Sequence, residues 1–287
     1  MIRRLLQRTL PCTLAGFLFS CHSVSEIKPD DYLNHARELV QKQEYQLAKL
    51  YVDSVTICFP KEYAKIREGI RVLREINYAE QMRTLAFCDS MLKVRQNQLP
   101  EAQRDFTFEK DEEYETIGHY VPRSQSQGNT IGRTFVQTKV DENGSLVLTS
   151  YYCGRKGLRH DRLRASAPDG TYAETATISH DGALNYSFQD AGLTYEIVRF
   201  NRKTENGVID FILSHPNTPI LITLTGTRSM GYRLSNTDTK AMASAANLSA
   251  ILTDIRRLLN EIRLAQAKLE YIRQKEKGID SRYPTTN

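Results

Sequence analysis

Between residues 30 and 105 apolar side chains recur at three- and four-residue steps, the period of helices with one buried face. Tyr32, Ala36, Leu39 and Val40 share one side of a first helix, with Asp30 and Asp31 placed to cap it and to complement its dipole. After Gln43 and Glu44 a second helix is predicted through Leu47, Ala48, Tyr51, Val52, Val55 and Phe59, stopped by Pro60. From Glu62 a stripe of Ile66, Ile70, Leu73, Ile76, Met82, Leu85, Cys88 and Leu92 runs on to Pro100. It predicts one long helix or two meeting at a kink, with Gly69 as the weak point.

The pattern changes at Phe106. From 106 to 237 the chain is built of runs rich in Val, Ile, Thr, Tyr and Phe: 130–140, 145–153, 172–179, 193–200, 208–214 and 219–225. Turn dipeptides separate them, at Asn143-Gly144, Asp169-Gly170, Asp181-Gly182 and Asn206-Gly207. Nine or ten antiparallel strands in a sandwich or an open barrel are expected. A helical stripe then returns over 238–278 through Leu248, Ile251, Leu252, Ile255, Leu258, Leu259, Ile262, Ala265, Leu269 and Ile272, before a loose tail over 279–287. The fold class is α+β. Two long apolar stripes flank the β region, and pairing them as an antiparallel stalk hides both; the alternative is dimerisation through the same stripes.

The N-terminus belongs to none of these elements. Arg3, Arg4 and Arg8 precede the apolar run Leu10–Phe19, the layout of an export signal, and the run is too short to span a bilayer. The sequence Leu18-Phe19-Ser20-Cys21 then resembles a lipobox, although Phe19 is larger than is usual at its position. That resemblance implies cleavage after residue 20, a lipid on the Cys21 sulfur, and a mature protein that starts with a tether over 21–29. It places the protein in a bacterial cell envelope, anchored to a membrane, with the outer membrane favoured and the facing side left open.

Charge changes accordingly. The chain has 39 Lys and Arg against 34 Asp and Glu, but three of the basic residues leave with the signal, so the remainder carries a formal +2. Only 238–287 is mildly basic, which is no concentrated face for nucleic acid. Of the 5 cysteines, Cys12 goes with the signal and Cys21 is lipidated; Cys58 and Cys88 are the candidate disulfide, with free buried thiols as the alternative.

No catalytic motif emerges: no nucleophile elbow, phosphate loop or dinucleotide fingerprint is present. His22, His35, His119, His160, His180 and His215 form no pair at metal-ligand spacing, so no metal and no cofactor is expected. Gly154-Arg155-Lys156-Gly157 reads as a solvated hairpin loop rather than an anion cradle, and Glu112, Glu113 and Glu115 as a hydrated edge. Tyr151, Tyr172, Tyr186 and Tyr195, together with Tyr152 and Tyr232, are the candidate aromatic platform for a sugar or a peptide; half-buried strand tyrosines are the plain alternative.

Two further resemblances follow from these residues. The spacing of Tyr32, Ala36, Leu39, Ala48, Val52 and Pro60 resembles one tetratricopeptide-type helical hairpin, although His35 replaces an expected leucine and the pattern fails one period on, at Met82 and Val94. The layout as a whole, with Phe106–Tyr114 and Gly118-His119-Tyr120, is similar to a group of uncharacterised lipoproteins from Bacteroidota, and implies no activity. The expected function is a non-enzymatic envelope lipoprotein that makes protein–protein contacts. A glycan- or peptide-binding module using the β domain is the alternative, and a hydrolase with an unfamiliar site comes third. Envelope proteins, a glycan, a second copy of the chain and the membrane are the expected partners, and nucleic acid is excluded.

Overall fold

A computed structural model describes residues 28–110, 113, 116–126 and 131–280. The export signal, Cys21, most of the tether and the end of the tail lie outside the described residues, as do Glu112 and Glu115 of the acidic cluster. The order is α1 (Pro29–Gln41), α2 (Tyr45–Cys58), α3 (Tyr63–Gln103), β1 (Phe106–Glu109), β2 (His119–Pro122), β3 (Phe135–Asp141), β4 (Leu146–Gly154), β5 (Arg162–Ser166), β6 (Tyr172–Glu174), β7 (Asn185–Asp190), β8 (Leu193–Asn201), α4 (Val208–Leu213), β9 (Leu221–Thr225), β10 (Ser229–Arg233) and α5 (Asn236–Asp280). The chain divides into two compact units, with the boundary inside α3 between Ala79 and Glu80.

The first unit is a small helical core. Leu33, Ala36 and Leu39 of α1 pack on Ala48, Val52 and Val55 of α2 and on Val72 and Ile76 of α3. Ala36 and Ala48 are fully buried, which is the close helix approach that their spacing predicted. Gly69 serves the same end: a Cβ there would meet Val52 at 3.3 Å and Leu33 at 3.7 Å. The weak point of the helical pattern is therefore a packing position. At the start of α1 the Asp31 carboxylate accepts the Lys28 amide at 2.8 Å, so Asp31 caps from inside the first turn and Lys28 holds the cap position. Lys65 and Glu68 of α3 bind back to Asp30 and Arg37 of α1.

The second unit holds the β domain. Among the described residues all strand pairs are antiparallel, in a six-stranded sheet of order β1-β2-β3-β4-β8-β7 and a four-stranded sheet of order β10-β9-β5-β6. The two sheets are separate, so the domain is a sandwich and not a barrel. Inward residues of the first sheet (Val136, Val140, Leu148, Val198, Phe200) share one core with inward residues of the second (Leu163, Ala165, Ile222, Leu224). Met242, Ala245, Leu248 and Leu252 of α5 join the same core. Within this unit the end of α3 runs antiparallel to α5. Leu99 and Ala102 pack on the shared core, and Arg95 pairs with Asp254 at 2.7 Å.

Two segments depart from their sequence pattern. Of the strand expected over 172–179 only Tyr172–Glu174 is a strand. Residues 208–214 read as a strand, yet Val208–Leu213 is helical. The Glu205 carboxylate accepts the Ile209 amide at 3.1 Å, which satisfies an N-terminal donor of the helix. Val208, Ile209 and Ile212 then fall together on its buried face. A β-branched run is a helix here because six residues closing the core need only one apolar side. The C-terminal helix also differs slightly, starting at Asn236 and continuing past Gly278.

Candidate functional site

Two clusters in the second unit hold the polar and aromatic chemistry that a site would use. The first is a chain of hydrogen bonds inside the sandwich. Ser150 on β4 and Glu196 on β8 occupy inward positions, and His160, in the link from β4 to β5, lies between them. The Ser150 hydroxyl is 2.8 Å from His160 Nε2, and His160 Nδ1 is 2.7 Å from Glu196 Oε2. The acceptor at Nδ1 is a carboxylate, which places the proton on that nitrogen and leaves Nε2 to accept from Ser150.

Glu196 also accepts the backbone amides of Arg159 at 2.7 Å and His160 at 2.9 Å. Burial alone would raise its carboxyl pKa. The hydrogen bonds from the His160 ring and the two amides outweigh burial and hold it at about 2. The link is wedged in place: a Cβ at Gly226 would sit 2.0 Å from the Arg159 carbonyl oxygen. Asn185 fastens it from the other side, donating to the carbonyls of His160 and Ile178.

The order serine, histidine, carboxylate is that of a nucleophile relay. Here, however, Ser150 and His160 are completely buried and Glu196 is 3% exposed. A nucleophile must reach its substrate, and none of the described cavities is lined by these three residues. The arrangement is that of a clamp, tying β4 and β8 of one sheet to the chain that enters the other.

The second cluster is the outward face of the six-stranded sheet. Strand register puts Phe135, Tyr151, Ile197 and Tyr186 in one row across β3, β4, β8 and β7. Cys153, Tyr195 and Phe188 form the next row. Phe135 and Tyr151 stack with centroids 4.6 Å apart, and Phe188 and Tyr195 with centroids 5.0 Å apart. The Arg199 guanidinium lies 5.7 Å from the Tyr186 ring centre.

Exposure rises towards the free edge of this sheet at β7. Phe135 is buried, Tyr151, Tyr186 and Tyr195 are half-buried, and Phe188 is 47% exposed. Burial pushes the Tyr151 phenol up to about 12; the Cys153 thiol, followed by burial, raises that of Tyr195.

Three of the four candidate platform tyrosines, Tyr151, Tyr186 and Tyr195, are therefore brought together. Tyr172 is not. It lies on β6 in the other sheet, where the Arg164 guanidinium sits 4.3 Å from its ring centre. The face also differs from a flat sugar platform. Stacking covers one face of each ring in the Phe135–Tyr151 and Phe188–Tyr195 pairs, which reduces the open ring surface.

The remaining candidates fall elsewhere. Cys58 and Cys88 are both free: Cys58 is exposed at the end of α2, whereas Cys88 is buried on α3 near Arg257 and Glu261 of α5. The Gly154–Gly157 turn is held by Tyr152, whose hydroxyl donates to the Lys156 carbonyl at 2.6 Å, and Arg155 and Lys156 are exposed.

No family model matches this chain, and no curated protein or solved structure matches it either. Among the described residues no group of three or more His, Cys, Asp or Glu could hold a metal ion, and no helix is long and apolar enough to cross a membrane. Sequence reasoning missed the buried clamp. The available signal was a charged residue, Glu196, at an inward position between the apolar Tyr195 and Ile197–Val198; such a residue needs a buried partner.

Proposed function

We propose that this protein is a non-enzymatic, lipid-anchored envelope lipoprotein that uses the outward face of its six-stranded sheet to contact another envelope protein. The supporting observation is the patch of Tyr186, Phe188, Tyr195 and Arg199 beside the free edge at β7. Aromatic and arginine side chains with an apolar body and a polar tip are the residues most enriched in protein interfaces. Pairing the rings covers one face of each, which leaves less open ring surface than a flat sugar platform offers and favours this reading over a glycan platform. The lipobox at Cys21 supports the anchor, and the sealed Ser150–His160–Glu196 cluster supports a binding role rather than hydrolysis.

The test is site-specific photocrosslinking in intact cells. A photoreactive residue at Phe188 should give a discrete heterologous adduct, and the additional change Tyr195→Ala should diminish it at unchanged protein level. Adducts no stronger than those from a photoreactive residue at the exposed Lys268 would overturn the proposal. So would saturable binding of a neutral polysaccharide that Tyr195→Ala abolishes.

A further inference from the structure

The largest described cavity lies away from the aromatic face and shares no residue with it. It is a half-open cleft of about 670 Å³ between the chain after α4, the end of β10 and the start of α5. Its size falls within the range of small-molecule sites. The buried Ile212, Ile220 and Leu234 lie beneath it, and Asn217, Thr218 and Asn236 supply hydroxyl and amide groups.

The charges in the lining are of one sign. Arg233 and Lys240 both border the cleft, and no Asp or Glu does. Both are exposed, and neither has an ion-pair partner among the described residues. The carboxylates of Asp238 and Asp169 are engaged elsewhere. Asp238 is buried and accepts from Ser235 and Gln125, while Asp169 accepts the amide and hydroxyl of Thr171 in its own turn. The first turn of α5 is capped by that Ser235–Asp238 exchange, so the positive character of the cleft comes from side chains. His215 adds a ring at the rim, fixed by a 2.8 Å bond from Nδ1 to the Phe211 carbonyl and by packing on the Phe211 ring.

We propose that this cleft binds a small organic oxyanion bearing hydroxyl groups, such as a sugar acid or a sugar phosphate. Arg233 supplies the planar fork that takes two oxygens of a carboxylate or phosphate, and Lys240 supplies a second, mobile charge. The hydroxyl and amide wall takes the polar remainder.

Calorimetric titration of the full-length protein in detergent separates the alternatives. Glucuronate and glucose 6-phosphate represent the two sources of the anion; inorganic phosphate and glucose are the controls. At least one of the first two should bind with Kd below roughly 1 mM. Arg233→Gln should weaken that binding about tenfold or more and Lys240→Gln severalfold, because each removes a charge-assisted contact. Both positions are exposed, so the melting temperature should stay at the wild-type value. Phe188→Ala should leave the affinity unchanged, which keeps this test apart from that of the contact face. Binding of glucose as tight as that of the anions, binding of inorganic phosphate alone, an unchanged affinity in Arg233→Gln, or no binding of either organic anion would each overturn the proposal.

Discussion

Glu196→Gln removes a charge from the centre of the sandwich while keeping nearly the same shape. In the wild type the carboxylate accepts three hydrogen bonds, from the Arg159 amide, the His160 amide and His160 Nδ1. Glutamine has one acceptor oxygen. Whichever way its amide turns, its NH2 group confronts a backbone N–H that has no water to turn to. An unsatisfied buried donor costs about 1–3 kcal/mol, and converting the surviving contacts from charged to neutral adds roughly another kcal/mol. The expected destabilisation is therefore about 2–4 kcal/mol, or roughly 5–15 °C for a unit of this size.

The pH dependence makes the test specific. Because the folded carboxyl is held at about 2, below its ordinary 4.5, its contribution is full above the ordinary value and fades as pH falls towards 2. Thermal melts of wild type and Glu196→Gln should differ most near pH 7 and converge as the pH drops from about 5 to 2. Ser150→Ala, which removes only the outer donor, should cost about 1 kcal/mol at any pH in that window. A Glu196→Gln protein as stable as wild type at pH 7, or a stability gap that stays constant down to pH 2, would refute the clamp.

Three other outcomes are expected. In native protein under non-reducing conditions a maleimide should label Cys58 rapidly and leave Cys88 untouched until denaturant is added, since Cys88 is 3% exposed and burial pushes its thiol pKa up; a Cys58–Cys88 peptide in a non-reducing digest would contradict this. Leu258→Asp should unfold the second unit, because Leu258 is 2% exposed and an unpaired buried carboxylate costs several kcal/mol; Leu259→Asp, at a position 50% exposed, should shift the melt by less than about 1 kcal/mol. Cys21→Ser should abolish incorporation of labelled fatty acid and release the protein from the membrane fraction, and retention of label would remove the lipobox reading.

Periodicity determined much of this protein by itself. The three-to-four-residue stripes of α3 and α5 and the change of pattern at Phe106 are local properties, and helices and strand-rich regions are largely decided locally. The small residues Ala36 and Ala48 likewise announced a close helix contact that the first unit contains. What the sequence could not decide is who meets whom. Tyr172 looks like Tyr186, but strand order sends it to the other sheet, since pairing depends on partners far along the chain. Val208–Leu213 has strand residues and a helical conformation because the core it closes, rather than propensity, selects the backbone. Ser150, His160 and Glu196 lie 10 and 36 residues apart and carry no motif. They meet because β4 pairs with β8 in one sheet while the intervening chain crosses to the other, and only that crossover buries a histidine between a hydroxyl and a carboxylate.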